Sequence, residues 1–215
     1  MLLSIVGAGG YLFTMKDTSD AAAMVGSVKI PYSFYRRIAD QNLEQYRKDK
    51  KDVSDETARE IRREVLQSLV TNEMSAQEAE AMGLKVSDEE LAWSIQHDPS
   101  FQTDGAFNPM LYRQIVIQGF NATIEDYESR RRRELLASKF QSVLFNRVKL
   151  IPSELRDEYK ASHNGSDKGF EKDKEKFTQA LFRMRAMYTL QTALRKALGR
   201  IEVRSFMDER EGTPK

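Results

Sequence analysis

Between Ser54 and Gly83 the chain carries one unbroken apolar period, and it constrains the fold class more than any other feature. Ile61, Val65 and Leu69 recur at i, i+4 spacing, and so do Leu66, Val70 and Met74. Together they form a broad stripe along one side of a helix, a face that other elements must cover. Ser54 is placed to cap the first turn, and Gly83 to end the helix in the left-handed conformation. The same grammar repeats downstream. Ser87–Asp88–Glu89–Glu90 forms a capping box that opens a short helix bearing Leu91 and Ile95, which Asp98–Pro99 ends. Asn108–Pro109 starts a helix through Leu111, Ile115 and Val116 that stops at Gly119. Thr123–Ile124–Glu125–Asp126 opens a long one through about Phe145. Its apolar side is Tyr127, Leu135, Leu136, Phe140, Val143 and Leu144. Only 11 Gly and 5 Pro punctuate the 215 residues, which suits long helices better than many short strands.

The remaining segments complete a mainly α reading with about six or seven helices and two short strands. Met24–Ile30 reads as a strand ended by Pro31, which then begins a helix carrying Tyr35, Ile38 and Tyr46 as far as the charged run Lys48–Asp52. Phe101–Phe107 is a turn in which Asp104–Gly105 suits positive φ. Pro152 starts a short charged helix, and Ala161–Gly169 is a flexible linker. From Phe170 a last helix carries Phe177, Leu181, Met184 and Tyr188, then Leu190, Leu194 and Leu198, with Gly199 as its stop. Ile201–Glu202–Val203 alternates as a strand does, and residues 207–215 read as a frayed tail. A lone strand leaves its backbone groups unpaired, so the expectation is that Met24–Ile30 and Ile201–Val203 pair with each other as a two-stranded sheet. That pairing folds the tail of the chain onto its head.

Composition removes whole classes of function. With 34 Lys and Arg against 33 Asp and Glu, the net charge is +1, without the clustered basic surplus of a nucleic-acid binder. The run Arg130–Arg133 spreads around a helix, because consecutive residues step about 100°. Nearby Glu125, Asp126, Glu128 and Glu134 offset it, so it reads as a solvated helix face. The chain has no cysteine, which excludes disulfides, thiolate metal sites and a cysteine nucleophile. His97 and His163 are too few and too isolated for histidine catalysis or a metal centre. Capping explains two of the three acids in Asp88–Glu89–Glu90. Gly7–Ala8–Gly9–Gly10 lacks the strand-to-helix setting of a phosphate loop. No catalytic residue, metal or cofactor is expected.

Met1–Phe13 is uncharged and apolar. As a helix at about 1.5 Å per residue it covers roughly 20 Å, less than a hydrocarbon core of ~30 Å. It also lacks the basic start of a signal peptide. Residues 1–15 are therefore expected to be part of a membrane anchor whose basic half lies upstream of Met1; a cleaved signal or a buried helix are the alternatives.

The ordered series from the first strand through AEAMGLKVSDEELAWSIQ and FQTDGAFNPMLYRQIVIQGF to the Thr123 helix resembles the N-terminal chaperone region of the SurA/PpiD family. The motifs are Gly83–Leu91, Phe101–Phe107 and Met110–Ile115, and the likeness runs over residues 23–160. Residues 170–206 are similar, more loosely, to the helix and closing strand that complete that module. The resemblance implies a SurA-like chaperone core. It also implies a periplasmic location at the inner membrane, and unfolded polypeptides, outer-membrane proteins among them, as partners. Family members usually insert parvulin-type prolyl isomerase domains where this chain has residues 161–169, and nine residues cannot hold a domain of roughly a hundred. Isomerase activity is therefore not carried over.

A chaperone working without ATP needs exposed, adaptable apolar surface, and nine methionines supply flexible side chains for it. Candidate peptide-contact residues are Trp93, Phe101, Phe107, Met110, Tyr112 and Phe120, each with ordinary core packing as its alternative. A tethering subunit for a separate isomerase or secretion component is the alternative function. A homodimer is compatible with the pattern, and nucleic acid is not an expected partner.

Overall fold

The computed structural model describes residues 18–50, 53–207 and 210. Met1–Phe13 lies outside them, and with it the expected anchor. Among the described residues no helix is long and apolar enough to cross a membrane.

The fold is mainly α, with seven α-helices and two small antiparallel sheets among the described residues. Ala21–Val25 (β1) and Val28–Pro31 (β2) form a hairpin, followed by Tyr32–Lys50 (α1) and Asp55–Ala81 (α2). Asp88–Gln96 (α3) leads into a second hairpin, Gln102–Thr103 (β3) and Ala106–Phe107 (β4). Pro109–Gln114 (α4) runs on as a π-helical turn over Ile115–Gly119, then Ile124–Phe145 (α5), Pro152–Ser162 (α6), Phe170–Ala197 (α7) and Val203–Ser205 (β5) follow.

Caps written in the sequence set the helix boundaries. The Ser54 side chain accepts from Thr57 N, the Thr123 side chain from Asp126 N, and Ser87 with Glu90 completes the reciprocal capping box. Gly83 sits at φ 78°, where Gly83 N bonds Glu80 O and Leu84 N bonds Ala79 O, the paired bonds of a Schellman motif. Asp104 and Gly105, at φ 53° and 79°, make the mirror-image turn whose twist matches a two-residue hairpin.

The sheet order is β2–β1–β5, so the tail does pair with the head. Met24 faces Arg204 and Val25 faces Val203, while Gly26 N bonds Glu202 O and Phe206 N bonds Ala22 O. Two details differ from the expectation. The segment Met24–Ile30 is not one strand; Gly26, at φ 56°, turns it into a hairpin, and the sheet has three strands. The closing strand lies at Val203–Ser205 rather than Ile201–Val203, because Ile201 is committed to the core at the end of α7. Pro31 ends β2 and the helix begins one residue later. β1 reads AAAMV and is buried throughout. A central strand covered on both faces loses the alternation of a half-exposed one, and small alanines let the helices come close.

Three apolar clusters organise the chain. One joins the sheet to α1, the middle of α2 and Ala197. A second holds the end of α2 with α3, α4, α5 and Leu190. The third is small: Leu155, Tyr159, Phe170 and Leu181, between α6 and the start of α7. Residues 161–169 close this last unit. Helix α6 runs to Ser162, His163 stacks on Tyr159 at 3.8 Å, and Asn164, Gly165 and Gly169 take positive φ in the turns that follow. The tail is also held at one point. Arg210 donates to Ala21 O and Ser19 O and lies 4.9 Å over the Tyr32 ring, so a frayed tail does not describe that residue.

Candidate peptide-binding surface

The β3–β4 hairpin carries Phe101 just before it and Phe107 in its second strand, while Asn108 caps α4 by accepting from Met110 N and Leu111 N. This places Tyr112, one turn into α4, against Phe101, with ring centroids 5.0 Å apart in an edge-on arrangement. Phe107 packs on Tyr112 at 5.8 Å, and Phe120 stacks on Tyr127 at 5.5 Å. Tyr127, in the first turns of α5, touches Phe101 and Tyr112 as well, and joins the two halves of the cluster. Edge-on and offset pairs of this kind are favoured by the ring quadrupole. Burial pushes the Tyr127 phenol up to about 12; it also raises Tyr112, aided by the Glu128 carboxylate that accepts from its hydroxyl.

Four of the six expected contact residues therefore belong to one aromatic cluster, and Tyr127 is its fifth member. Phe101 is 1% exposed and Tyr112 is buried with it, so both serve as core. Phe107 and Phe120 are half-buried against the same core. Trp93 and Met110 are different, at 63% and 82% exposed. Trp93 lies two positions from both Leu91 and Ile95, about 200° around α3 from the side they bury. It stacks on His97 at 4.3 Å, whose Nδ1 lies 2.8 Å from Trp93 O. Among the described residues no three potential metal ligands converge.

A second apolar surface lies on α7. Met184 and Tyr188, part of the apolar pattern of that helix, are 60% and 71% exposed, and Met187 is half exposed beside them. The reason is geometric. Leu181 is buried toward α6 and Leu190 toward α2 and α5. Nine residues at about 100° each place those two on opposite sides of the helix. Met184 and Tyr188 continue the first side beyond the reach of α6. With Val148 and Lys149 they line an open depression of about 450 Å3. An unbroken i, i+3, i+4 pattern in the sequence hides this change of partner.

The four arginines are not a solvated face. Arg133 is bound to the buried Glu73, with Nε–Oε2 at 3.0 Å, and to Glu80 at 2.6 Å. Burial pulls the Arg133 pKa down, and its bonds and charge coupling to Glu73 and Glu80 more than offset this, raising it. Gln77 extends the network, donating to Glu73 and to Val25 O at the hairpin turn. There a Cβ on Gly26 would stand 3.0 Å from the Gln77 amide oxygen. Arg132 reaches Asp88 and Val86 O, Arg131 reaches Glu134 and Ser94, and Arg130 lies over the Phe34 ring. The run fans out from α5 and ties it to α1, α2 and α3. The acidic trio is used likewise, since Asp88 takes Arg132 while Glu90 caps α3 and takes Lys139.

The family model for the SurA-like N-terminal domain matches residues 1–141. The chain belongs to that family. It is also similar to the periplasmic chaperone PpiD of Haemophilus influenzae (strain ATCC 51907 / DSM 11121 / KW20 / Rd), 27% identical over 156 residues. The match covers 70% of this chain and 25% of that relative, so it spans about a quarter of the relative's length. The family match supports the resemblance drawn from Gly83–Leu91, Phe101–Phe107 and the Tyr112 helix.

Proposed function

We propose that this chain is an ATP-independent periplasmic chaperone that holds unfolded polypeptides, outer-membrane proteins included, and has no isomerase activity. In this reading the N-terminal segment anchors it at the inner membrane. The observation that carries the proposal is the exposed apolar strip of Met184, Met187 and Tyr188 on α7. Exposed thioether and phenol side chains of this kind suit weak contact with many sequences, because they adapt to what they meet. Trp93 and Met110 add two further exposed apolar side chains. The likeness to a periplasmic chaperone supports the same assignment.

The test is aggregation of an urea-unfolded outer-membrane protein, followed by light scattering after dilution. Stoichiometric amounts of the full chain are expected to suppress it, and Met184→Ser combined with Tyr188→Ser to lose much of that protection. Both side chains are exposed, so the double variant should keep the circular dichroism and melting curve of the parent. Trp93 is the only tryptophan, and its emission should shift to the blue as client covers it. No protection at any ratio would reject the proposal, and turnover of a proline peptide above the uncatalysed rate would reject its isomerase-free part. A pull-down that returns one stoichiometric partner and no range of clients would point to a tethering subunit.

A further inference from the structure

Among the described residues Arg131, Arg132 and Arg133 each meet a carboxylate within 3.2 Å, and Arg130 meets none. Its guanidinium lies 4.8 Å over the Phe34 ring, at the rim of a groove of about 360 Å3 between β2, α1, α2 and α5. Ile30, Pro31, Phe34 and Leu69 give that groove its apolar lining. The space suits one large apolar side chain with the backbone on either side of it. Two of the carboxylates on its wall are engaged, Glu73 with Arg133 and Glu134 with Arg131. Asp126, one helical turn before Arg130, also lines it.

A second arginine adds positive charge next to the first. Arg37, one turn beyond Phe34 on α1, lies 5.8 Å over Phe120, and its Nη1 is buried without a hydrogen-bond partner. Burial, and the repulsion of Arg130, lower its pKa below the usual value. Arg37 itself lines the adjoining groove, but its guanidinium is near enough to repel that of Arg130, and each has an aromatic face beneath it. Lys29 adds a third cation on the wall, against Asp126 as the one lining carboxylate that no ion pair among the described residues engages. A guanidinium in that position binds carboxylates in preference to neutral groups.

We propose that this groove takes an apolar side chain of an extended polypeptide and that Arg130 binds a carboxylate adjacent to it. The idea rests on the polypeptide-holding reading above and names the chemistry of one contact. The carboxylate can come from an acidic side chain or from the end of the bound chain, and the experiment separates the two.

Fluorescence anisotropy with the full chain would compare three labelled hexapeptides. One ends in phenylalanine with a free carboxylate, the second is its amide, and the third is an amide with aspartate before the phenylalanine. A carboxylate peptide should bind about tenfold tighter than the plain amide, the range of one charge-assisted bond. The first leading identifies a chain end; the third leading identifies an acidic side chain. Arg130→Gln should bring the preferred peptide down to the affinity of the amide and leave the amide itself unchanged. Arg130→Lys should keep part of the preference, and Asp126→Asn should enlarge it. Equal binding of all three peptides by the parent chain, or a preference that survives Arg130→Gln, overturns the proposal. If protection against aggregation persists in either case, the chaperone reading stands without this groove. If neither peptides nor unfolded clients are bound, both fail together.

Discussion

Phe170 and Leu181, at the start of α7, are buried against α6 and Leu150, whereas Leu190 and Ala197, at its end, are buried among α2, α5 and the three-stranded sheet. One helix thus belongs to a small outlying unit at one end and to the main body at the other. The ion pairs follow the same division. In the main body Arg133 and Glu73 are sixty residues apart in sequence and largely out of water, while Arg200, itself exposed, donates to Glu78 across an even longer separation. In the outlying unit the pairs are local: Arg156 with Glu171 and Asp167 lies in the open, and Arg185, half-buried, meets exposed Glu154 and Glu158. Secondary structure is continuous across α7, but what stabilises it is not. A helix is only as stable as the surface it covers, since isolated helices are marginal in water.

The sharpest way to break this comparison is to remove the buried cation. Arg133→Ala removes the counter-ion of the buried Glu73 carboxylate and leaves only Gln77 to donate to it, and the loss should be about 3–5 kcal/mol in urea unfolding. Arg156→Ala, its counterpart in the outlying unit, should cost less than about 1 kcal/mol and lose even that in high salt. Comparable losses from both would mean that the two units are held alike.

A paired cavity test comes next. Leu190→Ala should lower the global stability by about 3 kcal/mol, whereas Leu181→Ala should leave the main transition almost in place. Hydrogen exchange should locate the second effect. Amides of residues 152–181 should lose protection in Leu181→Ala while those of β1 keep theirs. If β1 loses protection as well, the outlying unit is an integral part of the core.

The smallest effect concerns alkaline pH. The Tyr127 phenol, ordinarily at 10.0, is raised by burial to about 12, and Tyr159 is raised by burial and by the Asp173 carboxylate that accepts from its hydroxyl. A group raised in the folded state contributes stability that is intact below the unfolded pKa and lost as pH climbs through the folded one. Stability should therefore hold up to about pH 10 and decline toward pH 12. Tyr127→Phe should flatten that decline for the main transition. Tyr159→Phe should flatten it only for exchange within α6 and the start of α7. A profile unchanged in both variants would remove Tyr127 and Tyr159 as its cause.

Much of this fold was legible because it is encoded locally. Ser54, Ser87, Asn108 and Thr123 each satisfy their own first turn, and Gly83 and Gly105 each take the backbone angle that their position requires. The head-to-tail pairing could also be foreseen, because two lone strands need partners. What escaped depends on distant neighbours. Gly26–Ser27 marks a turn only once β5 is seen to occupy the other edge of β1. The destinations of the four arginines lie on three other helices. The exposed strip on α7 arises because its partner changes between Leu181 and Leu190, which no periodicity records. At the candidate surface the sequence picks out the aromatic residues and leaves core packing as the alternative for each, because Phe101 and Trp93 look alike until it is known which side chains face the core.

The pairing of β1 with β5 has a consequence for how the molecule comes into being. The central strand is among the first segments of the described chain to be synthesised, and one of its two partners is among the last. Translation adds about 5–20 residues per second, so the open edge of β1 waits on the order of ten seconds or more. During that interval a row of backbone donors and acceptors in an all-apolar strand has no permanent neighbour. The growing polypeptide is thus itself an aggregation-prone chain until β5 arrives.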